Sequence, residues 1–288
     1  ASQTYGDVWR RVALHVPSAP VSLVQDWVQD AYDELLGKRH WAWLRRETVL
    51  TTLASRSITV TFAASTAITS AALFVASDAG RQIRVGTGPI YTISTVTDAS
   101  NAVLTFAYAE TTGAQTATIR DIYLIMPANF RSILSVIDQS IQRPIAWWIS
   151  RERLDLFDSA RTSSDSRFRV MAAAQQSQAT ATLGRITYEL WPYPTAVGSY
   201  PMEYFIRTDT LADDDTFTGV LATYTRVLEK GALAEAAMWP GTTTQKNPYF
   251  NLPLADRLRT EFAEAAKTLD VMDDDQYLMD LSQVDLSK

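Results

Sequence analysis

The chain has 288 residues, 47% hydrophobic and 20% charged, which is the composition of a soluble globular protein. It contains no cysteine, and this excludes disulfides and thiolate metal sites. The net charge is -6, and basic residues cluster no further than pairs such as Arg10-Arg11 and Arg45-Arg46, so nonspecific DNA binding as a main activity is disfavoured. No apolar run approaches the ~18 residues of a membrane span, and no secretory signal is visible at the N-terminus.

Residues 1–47 predict two helices that belong to a helical core. Thr4 with Asp7 three residues later resembles a capping box, and apolar residues then follow at helical spacing. Two prolines separate this helix from the next, for which Ser22 is the expected N-cap. Gly37 suits the C-terminus of the second helix.

Residues 48–122 differ sharply in composition, with few charges and many Thr, Ser, Ala and β-branched residues. Short alternating segments are separated by turn-forming sequences; the alternating residues are Ile58, Val60, Phe62, Ile83, Val85, Tyr91, Ile93, Leu104, Phe106 and Tyr108. Such segments predict a small β-barrel or sandwich. Its position between helical segments indicates an inserted module.

The region 123–215 is mixed. A short helix is expected over residues 129–140 or 151–160. Residues 185–191 alternate as a strand, and residues 202–207 are predicted to return as its hairpin partner.

Residues 216–270 predict two further helices, with apolar residues at intervals of three and four, and residues 271–288 form a C-terminal tail. The predicted fold class is therefore α+β. A helical bundle is built from the N- and C-terminal helices, and it carries an inserted small β-barrel or sandwich module and a second β-hairpin region.

The residue types needed for catalysis do not form a recognisable pattern. His15 and His40 are the histidines, both interpreted as partly buried helix-end residues, and no Gly-x-Ser-x-Gly motif accompanies them. The acidic run 213–215 is interpreted as stabilising the N-terminus of a following helix, and the run 273–275 as a solvated turn. The Gly86–Gly88 segment lacks the residues of a phosphate-binding loop. We therefore expect no catalytic residue, no cofactor and no metal.

Paired tryptophans are the clearest interface signal. Trp147 and Trp148 are adjacent, so their side chains diverge on a strand or a helix and do not easily enter one core together. Because aromatic residues are enriched at protein–protein interfaces, they are candidate subunit-interface residues together with Trp41 and Trp43.

The order of these parts resembles the head-to-tail adaptor family of tailed bacteriophages, of the podovirus tail tubular protein A type. The resemblance covers nearly the whole chain. The first segment that carries it is Trp41-Ala42-Trp43, after the helix pair. In the β module the segments are Gly80-Arg81-Gln82-Ile83-Arg84-Val85 and Tyr91-Thr92-Ile93-Ser94-Thr95-Val96. After the module come Tyr123-Leu124-Ile125-Met126-Pro127-Ala128-Asn129-Phe130-Arg131, then Tyr188-Glu189-Leu190-Trp191-Pro192 and Tyr204-Phe205-Ile206-Arg207, and finally a turn that contains Leu211, Asp213 and Asp215. Met126 and Asn129 stand where the family has Leu and Asp.

The resemblance implies a structural, non-enzymatic virion protein. Members form a ring, typically of twelve copies, that docks under the portal protein and contacts tail or tail-nozzle proteins in the neck between capsid and tail. Duplex DNA passes through the ring without specific binding, and assembly takes place in the bacterial host cytoplasm without a membrane. The C-terminal segment of the family docks on the portal. In this chain that role falls to Tyr277, Leu278, Met279 and Leu281, which would contact the portal or a neighbouring copy.

Two alternatives remain open from the sequence. The β module could instead be a carbohydrate- or cell-surface-binding module of a phage tail protein. A hydrolase that uses two acids among Asp213 to Asp215 is the third hypothesis.

Overall fold

The computed structural model describes residues 3–177, 179–207 and 210–282, with side chains of the last helix described as far as residue 274. The fold is mixed α+β. The chain divides into two compact units: a helical unit of residues 1–45 with 207–288, and a β unit of residues 46–206. Five α-helices are found in the described part of the chain: α1 Tyr5–His15, α2 Val21–Gly37, α3 Arg151–Phe157, α4 Arg226–Met238 and α5 Leu252–Ser282.

The first two helices are where the sequence predicts them. The capping box at α1 is confirmed, with the Asp7 backbone N–H donating to Thr4 Oγ1 at 3.2 Å and the Thr4 N–H donating to Asp7 Oδ2 at 3.1 Å. The predicted cap of α2 is wrong: the helix starts at Val21, and the N-cap is Pro20, which makes no side-chain cap. The fixed φ of proline already suits a helix start, so the Ser22 hydroxyl is not needed.

Helices from both ends of the chain pack together in the helical unit. The close contact between α2 and α4 depends on Gly231, where an added Cβ would lie 2.7 Å from Ala31 Cβ. Trp27 and Trp239 meet edge to face with ring centroids 5.8 Å apart. The buried face of α5 includes Phe262, the fully buried Leu269 and, one turn further, Asp273.

The last helix is longer than predicted. The sequence places its end near residue 270, with a tail beyond, whereas the α5 backbone is helical to Ser282. Three consecutive aspartates interrupt the apolar pattern after residue 270, so the sequence loses the periodicity from which a helix is predicted. The backbone nevertheless continues as a helix. The first of the two helices predicted within residues 216–270 begins at Arg226, and a 3₁₀ turn, Gly219–Ala222, precedes it.

Sixteen strands are found in the described residues of the β unit. The first of them begins at Arg45, one residue before the start of the unit. They are β1 Arg45–Thr52, β2 Arg56–Phe62, β3 Ala67–Ser70, β4 Gln82–Val85, β5 Tyr91–Val96, β6 Asn101–Leu104, β7 Gly113–Arg120, β8 Tyr123–Ile125, β9 Phe130–Asp138, β10 Arg143–Pro144, β11 Ala146–Ile149, β12 Ser164–Asp165, β13 Val170–Gln176, β14 Ile186–Trp191, β15 Tyr193–Pro194 and β16 Gly198–Ile206.

The inserted module is a closed six-stranded barrel, in the order β2-β3-β6-β5-β4-β7. Most of the alternating residues of the sequence fill its interior, which contains Ile58, Val60, Phe62, Ile68, Ile83, Ile93, Leu104, Tyr108, Ala117 and Ile119. Val85 and Tyr91 are partly buried against this cluster, and Phe106 is exposed. A barrel of this size has room for side chains alone. Of the two predicted architectures, the structure has the barrel.

Two four-stranded sheets make up the rest of the β unit, in the orders β1-β16-β9-β10 and β11-β13-β14-β8. Strands β12 and β15 form a short parallel pair. Both larger sheets contribute to one apolar cluster that includes Leu50, Met126, Ile133, Met171, Leu190, Tyr200 and Met202. This shared cluster is the core that positions the surfaces described below.

Of the two positions predicted for a short helix in this region, the structure has the second: α3 lies at Arg151–Phe157, and residues 130–138 form strand β9. The predicted hairpin is wrong. The strands β14 and β16 do not form a hairpin: β14 pairs with β13 and β8, and β16 pairs with β9. Alternation identifies a strand but not its partner, and these two strands bury their apolar faces in the same cluster from different sheets.

Arg84 joins the barrel to the segment that follows α3. Its guanidinium donates to the carbonyls of Thr87 and Gly88, both at 2.6 Å. It also donates to the carbonyls of Ala160 at 3.0 Å and Arg161 at 2.8 Å. A single buried cation thus satisfies four carbonyl groups within the β unit.

Candidate interaction surfaces

The adjacent tryptophans lie on β11, the terminal strand of its sheet. Trp147 packs against the core cluster, whereas Trp148 is 71% exposed. The two rings meet edge to face, with centroids 5.9 Å apart. The pairing of β11 with β13 is irregular between Ala146 and Ile149, a feature that redirects side chains. One of the two rings is thus presented at the surface.

Helix α3 follows β11 directly and carries more exposed apolar area. The Ser150 side chain caps it by accepting from the Arg153 N–H at 3.4 Å, and Leu154 is its buried anchor. Leu156 and Phe157 are 87% and 63% exposed. These two residues could not be predicted from the sequence, because a helix of seven residues is too short to show a periodic apolar stripe.

The other tryptophan pair lies inside the helical unit. Trp41 is fully buried and its indole N–H donates to the Leu35 carbonyl at 3.0 Å. Trp43 is half-buried, stacked on Trp41 with centroids 4.5 Å apart. Gly219 has φ +60, and an added Cβ there would lie 2.5 Å from Trp43 Cβ. The contacts of Trp41 are therefore within its own chain, and Trp148 is the exposed one of these four tryptophans.

The acidic run 273–275 is not a solvated turn as predicted, because it lies within α5. Asp273 is 1% exposed and accepts from the Ala42 backbone N–H at 2.8 Å. Arg39 forms ion pairs with Asp270 and, at 2.7 Å, with Asp274. Burial raises the pKa of Asp273, partly offset by the Ala42 hydrogen bond and Arg39, while a hydrogen bond from Arg39 lowers the pKa of Asp274. The run anchors α5 rather than binding a cation.

The other acidic run contacts α1, and not a helix that follows it as predicted. The Gly6 N–H donates to the Asp213 carbonyl at 3.0 Å. The Asp213 carboxylate accepts from the Trp9 indole at 2.8 Å and from Arg10 at 3.3 Å. Its charge still lies at a helix N-terminus, but at that of a helix two hundred residues earlier in the chain. This contact ties α1 to the segment before α4.

The segment after α3 holds a buried charged network. Arg161 has φ +52 and pairs with Glu189 and Asp155, while Arg151 lies 3.2 Å from Glu189. Burial opposes ionisation of Asp158. Nevertheless, backbone N–H groups of residues 162 and 163 and the Trp191 indole donate to this carboxylate and lower its pKa to about 2. The network fixes α3 to the sheet beneath it.

A cavity of about 450 Å³ opens between β10 and the segment before β13. Arg143, Arg167 and Arg169 line it together with Ile141, Pro144, Ile145, Phe168, Asp138, Asp165 and Ser166. Its charges are largely paired inside the chain, with Arg169 2.7 Å from Asp165 and Arg167 3.8 Å from the buried Asp138. Its lining residues include no Ser/His/Asp or Cys/His arrangement.

His15 and the candidate metal ligands are the remaining features considered from the sequence. His15 ends α1, is exposed rather than partly buried, and contacts the Tyr249 ring with centroids 5.9 Å apart. Among the described residues, no group of three or more His, Cys, Asp or Glu side chains is placed to hold a metal ion. In the same part of the chain, no helix combines the length and apolarity that crossing a bilayer requires.

The predicted docking residues Tyr277, Leu278, Met279 and Leu281 lie on the last turns of α5. Their backbone is helical, but their side chains lie outside the described residues. The prediction for them stays a prediction.

Comparisons with known proteins identify no family for this chain. No protein-family model matches the sequence. A search of curated proteins returns no matching relative.

Proposed function

We propose that the chain is a structural ring subunit that joins the head of a tailed bacteriophage to its tail. In this proposal about twelve copies, the number typical of the adaptor family that the sequence resembles, dock under the portal protein and contact tail proteins on the other side. Duplex DNA passes through the ring without specific binding. The protein is not an enzyme, and its site of action is the neck of the virion.

The observation that supports the proposal most is the discontinuous helical unit. Residues 1–45 and 207–288 form one compact unit, and the whole β unit, with its closed barrel, lies between them in sequence. This is the order of parts that the resemblance implies: a helical core interrupted by a β insertion. We propose that the four helices of this unit form the helical bundle of the adaptor.

The distribution of charge also supports a DNA channel. The helical unit has 13 basic and 20 acidic residues, whereas the β unit has 13 basic and 12 acidic residues. The helical unit therefore carries a net charge of -7 and the β unit a net charge of +1, which together give the -6 of the chain. Because duplex DNA carries one negative charge per ~1.7 Å, an acidic wall repels it and allows it to slide. We propose that the helical unit faces the channel.

Electron microscopy of the full chain mixed with the portal ring of the same phage tests this function. The proposal predicts a second ring, coaxial with the portal and enclosing a continuous channel. A matched portal ring without the chain is the control. Portal particles that look the same with and without the chain, at micromolar concentrations of both, would contradict the proposal.

A further inference from the structure

The described part of helix α5 that follows Leu269 is held by charges rather than by apolar packing. Leu269 is fully buried, but the next two apolar side chains, Val271 and Met272, are 61% and 37% exposed. The buried side chain beyond Leu269, within the described residues, is the carboxylate of Asp273, which is 1% exposed. Apolar side chains therefore anchor α5 as far as Leu269, and a different kind of contact takes over after it.

The sequence of this part of α5 does not favour a helix by itself. Residues 268–287 contain six aspartates and no lysine, arginine or histidine. Aspartate has a low helix propensity. Asp270 lies three residues before Asp273 and four before Asp274, so these like charges share one face of the helix and destabilise it. The positive charge that balances them must come from elsewhere in the chain.

Arg39, in the segment that follows α2, supplies this charge. Its guanidinium pairs with Asp270, and its Nη2 lies 2.7 Å from Asp274 Oδ1 and 3.5 Å from Asp273 Oδ2. Among the described side chains, no other base, Lys267 included, forms an ion pair with these three carboxylates. A planar guanidinium with five donors can serve several carboxylates at once. We call Arg39 with the three carboxylates the clasp.

The buried member of the clasp depends most on Arg39. Burial raises the pKa of Asp273, and the charge of Asp274 adds to this, whereas the hydrogen bond from the Ala42 N–H and the charge of Arg39 lower it. A buried carboxylate that loses its cation is strongly destabilising. Removal of Arg39 should therefore expel Asp273 from its site, and the turns of α5 around it would lose their attachment to the segment that follows α2.

We propose that the helical state of residues 270–282 depends on the clasp: when Arg39 is in place the segment is helical, and when the clasp opens the segment unwinds while the rest of the helical unit stays folded. A stretch of this length with such a composition does not form a stable helix alone. The four docking residues of the proposed function are in this segment, so the clasp would set the conformation in which they meet a partner. That consequence rests on the proposed function, whereas the clasp itself is a property of the single chain.

Hydrogen–deuterium exchange followed by mass spectrometry tests the clasp in the full chain, without the portal. In Arg39→Gln, amide exchange of residues 270–282 should become at least about tenfold faster, while exchange in α4 should change by less than about twofold. Arg257→Gln is the matched control, because it removes an ion pair with Glu261 from the same helix. This control should exchange as the unmodified chain does.

A rescue separates charge from packing, because Arg39 also lies over the Trp41 ring, 5.2 Å from its centroid. Adding Asp273→Asn to Arg39→Gln removes the buried charge that has lost its partner, and the amide oxygen can still accept from the Ala42 N–H. Exchange of residues 270–282 in the double variant should return to within about threefold of that in the unmodified chain. An absence of recovery would assign the effect of Arg39 to its packing on Trp41 and would contradict the clasp.

Two further results would also contradict it. One is exchange of residues 270–282 that is as slow in Arg39→Gln as in the unmodified chain. The other is faster exchange throughout the helical unit, α4 included, because Arg39 would then support the whole unit rather than the end of α5. Neither result bears on the adaptor role, and a chain that forms no ring with its portal would leave the clasp unaffected.

Discussion

Asp158 follows the last turn of α3, and its carboxylate organises the chain that comes next. It is 8% exposed and accepts from the backbone N–H of Thr162 at 3.0 Å and of Ser163 at 2.8 Å. The Trp191 indole adds a third donor at 3.3 Å. These donors overcome the effect of burial and hold the pKa at about 2, compared with 3.8 for an unperturbed aspartate.

This pKa predicts a loss of stability in acid. Because the folded-state pKa lies below the unfolded value, the unfolded chain binds more protons between pH ~4 and ~2, so stability falls as the pH falls through this range. The contribution is about 2 kcal/mol, fully present above pH ~4. Asp158→Asn should lower the free energy of unfolding by about 2 kcal/mol at pH 7 and flatten its dependence on pH below 4.

Urea unfolding at pH 7, 4 and 3 measures this effect. The exposed Asp214→Asn is the control and should change the free energy of unfolding by less than about 0.5 kcal/mol. An Asp158→Asn variant with the acid dependence of the unmodified chain would show that Asp158 does not carry this stability.

Contacts between residues near in sequence could be predicted, whereas contacts between distant residues could not. Thr4 and Asp7 were predictable as a capping box because both partners lie within four residues of each other. Asp273 and Asp213 were not, since their partners Ala42 and Trp9 lie about two hundred residues away or more. Because Trp147 and Trp148 are adjacent, the sequence correctly predicted that their side chains diverge. Nothing in the local sequence indicated that Trp41 would be buried.

At the scale of elements, the contact of α2 with α4 depends on one missing side chain. Gly231→Ala would gain up to ~1 kcal/mol of helix propensity. However, the new Cβ would lie 2.7 Å from Ala31 Cβ and 3.1 Å from Phe262 Cδ2, and overpacking of this kind costs about 1–3 kcal/mol. We expect a net decrease of about 1 kcal/mol or more in the free energy of unfolding.

Gly37→Ala is the matched control for this prediction. Gly37 is the last residue of α2, and an added Cβ there would meet nothing within 4 Å. This substitution should therefore raise the free energy of unfolding by about 0.5–1 kcal/mol in the same chemical denaturation experiment. Equal stabilisation by both substitutions would mean that α2 and α4 do not pack closely at Gly231.

Helix α5 allows the proposed docking segment to be removed separately. Truncation after Asp274 keeps Leu269 and the Ala42 contact of Asp273, so the thermal unfolding midpoint should change by only a few degrees. Binding to the portal ring, measured by surface plasmon resonance, should weaken at least about tenfold because Tyr277, Leu278, Met279 and Leu281 are lost. A second truncation after Ser282 keeps these four residues and should bind as the full chain does. Equal binding by both truncations would assign portal docking to another segment.

The elements differ in how well the sequence predicted them. The barrel strands alternate over short, turn-bounded segments, and all their partners lie within the one inserted module. The two larger sheets join β1 to β16 and β8 to β14, so strand partners are separated by long stretches of chain. Periodicity describes one strand at a time, and this is why the hairpin of β14 with β16 was predicted wrongly.

At the scale of the whole molecule, the two-unit organisation and the uneven distribution of charge are the observations that support the proposed adaptor role. Composition predicted an α+β protein with an inserted β module, and the structure has a closed barrel there. Residues 123–215 were expected to be a separate mixed region, but residues 123–206 belong to the same compact unit as the barrel and the remainder belongs to the helical unit.

Native mass spectrometry of the full chain with its portal ring tests the adaptor role most directly. We predict one dominant complex in which a fixed number of copies, about twelve, is bound to each portal ring, with no partly filled rings at saturation. Free portal rings beside a strictly monomeric chain, at concentrations well above micromolar, would contradict it.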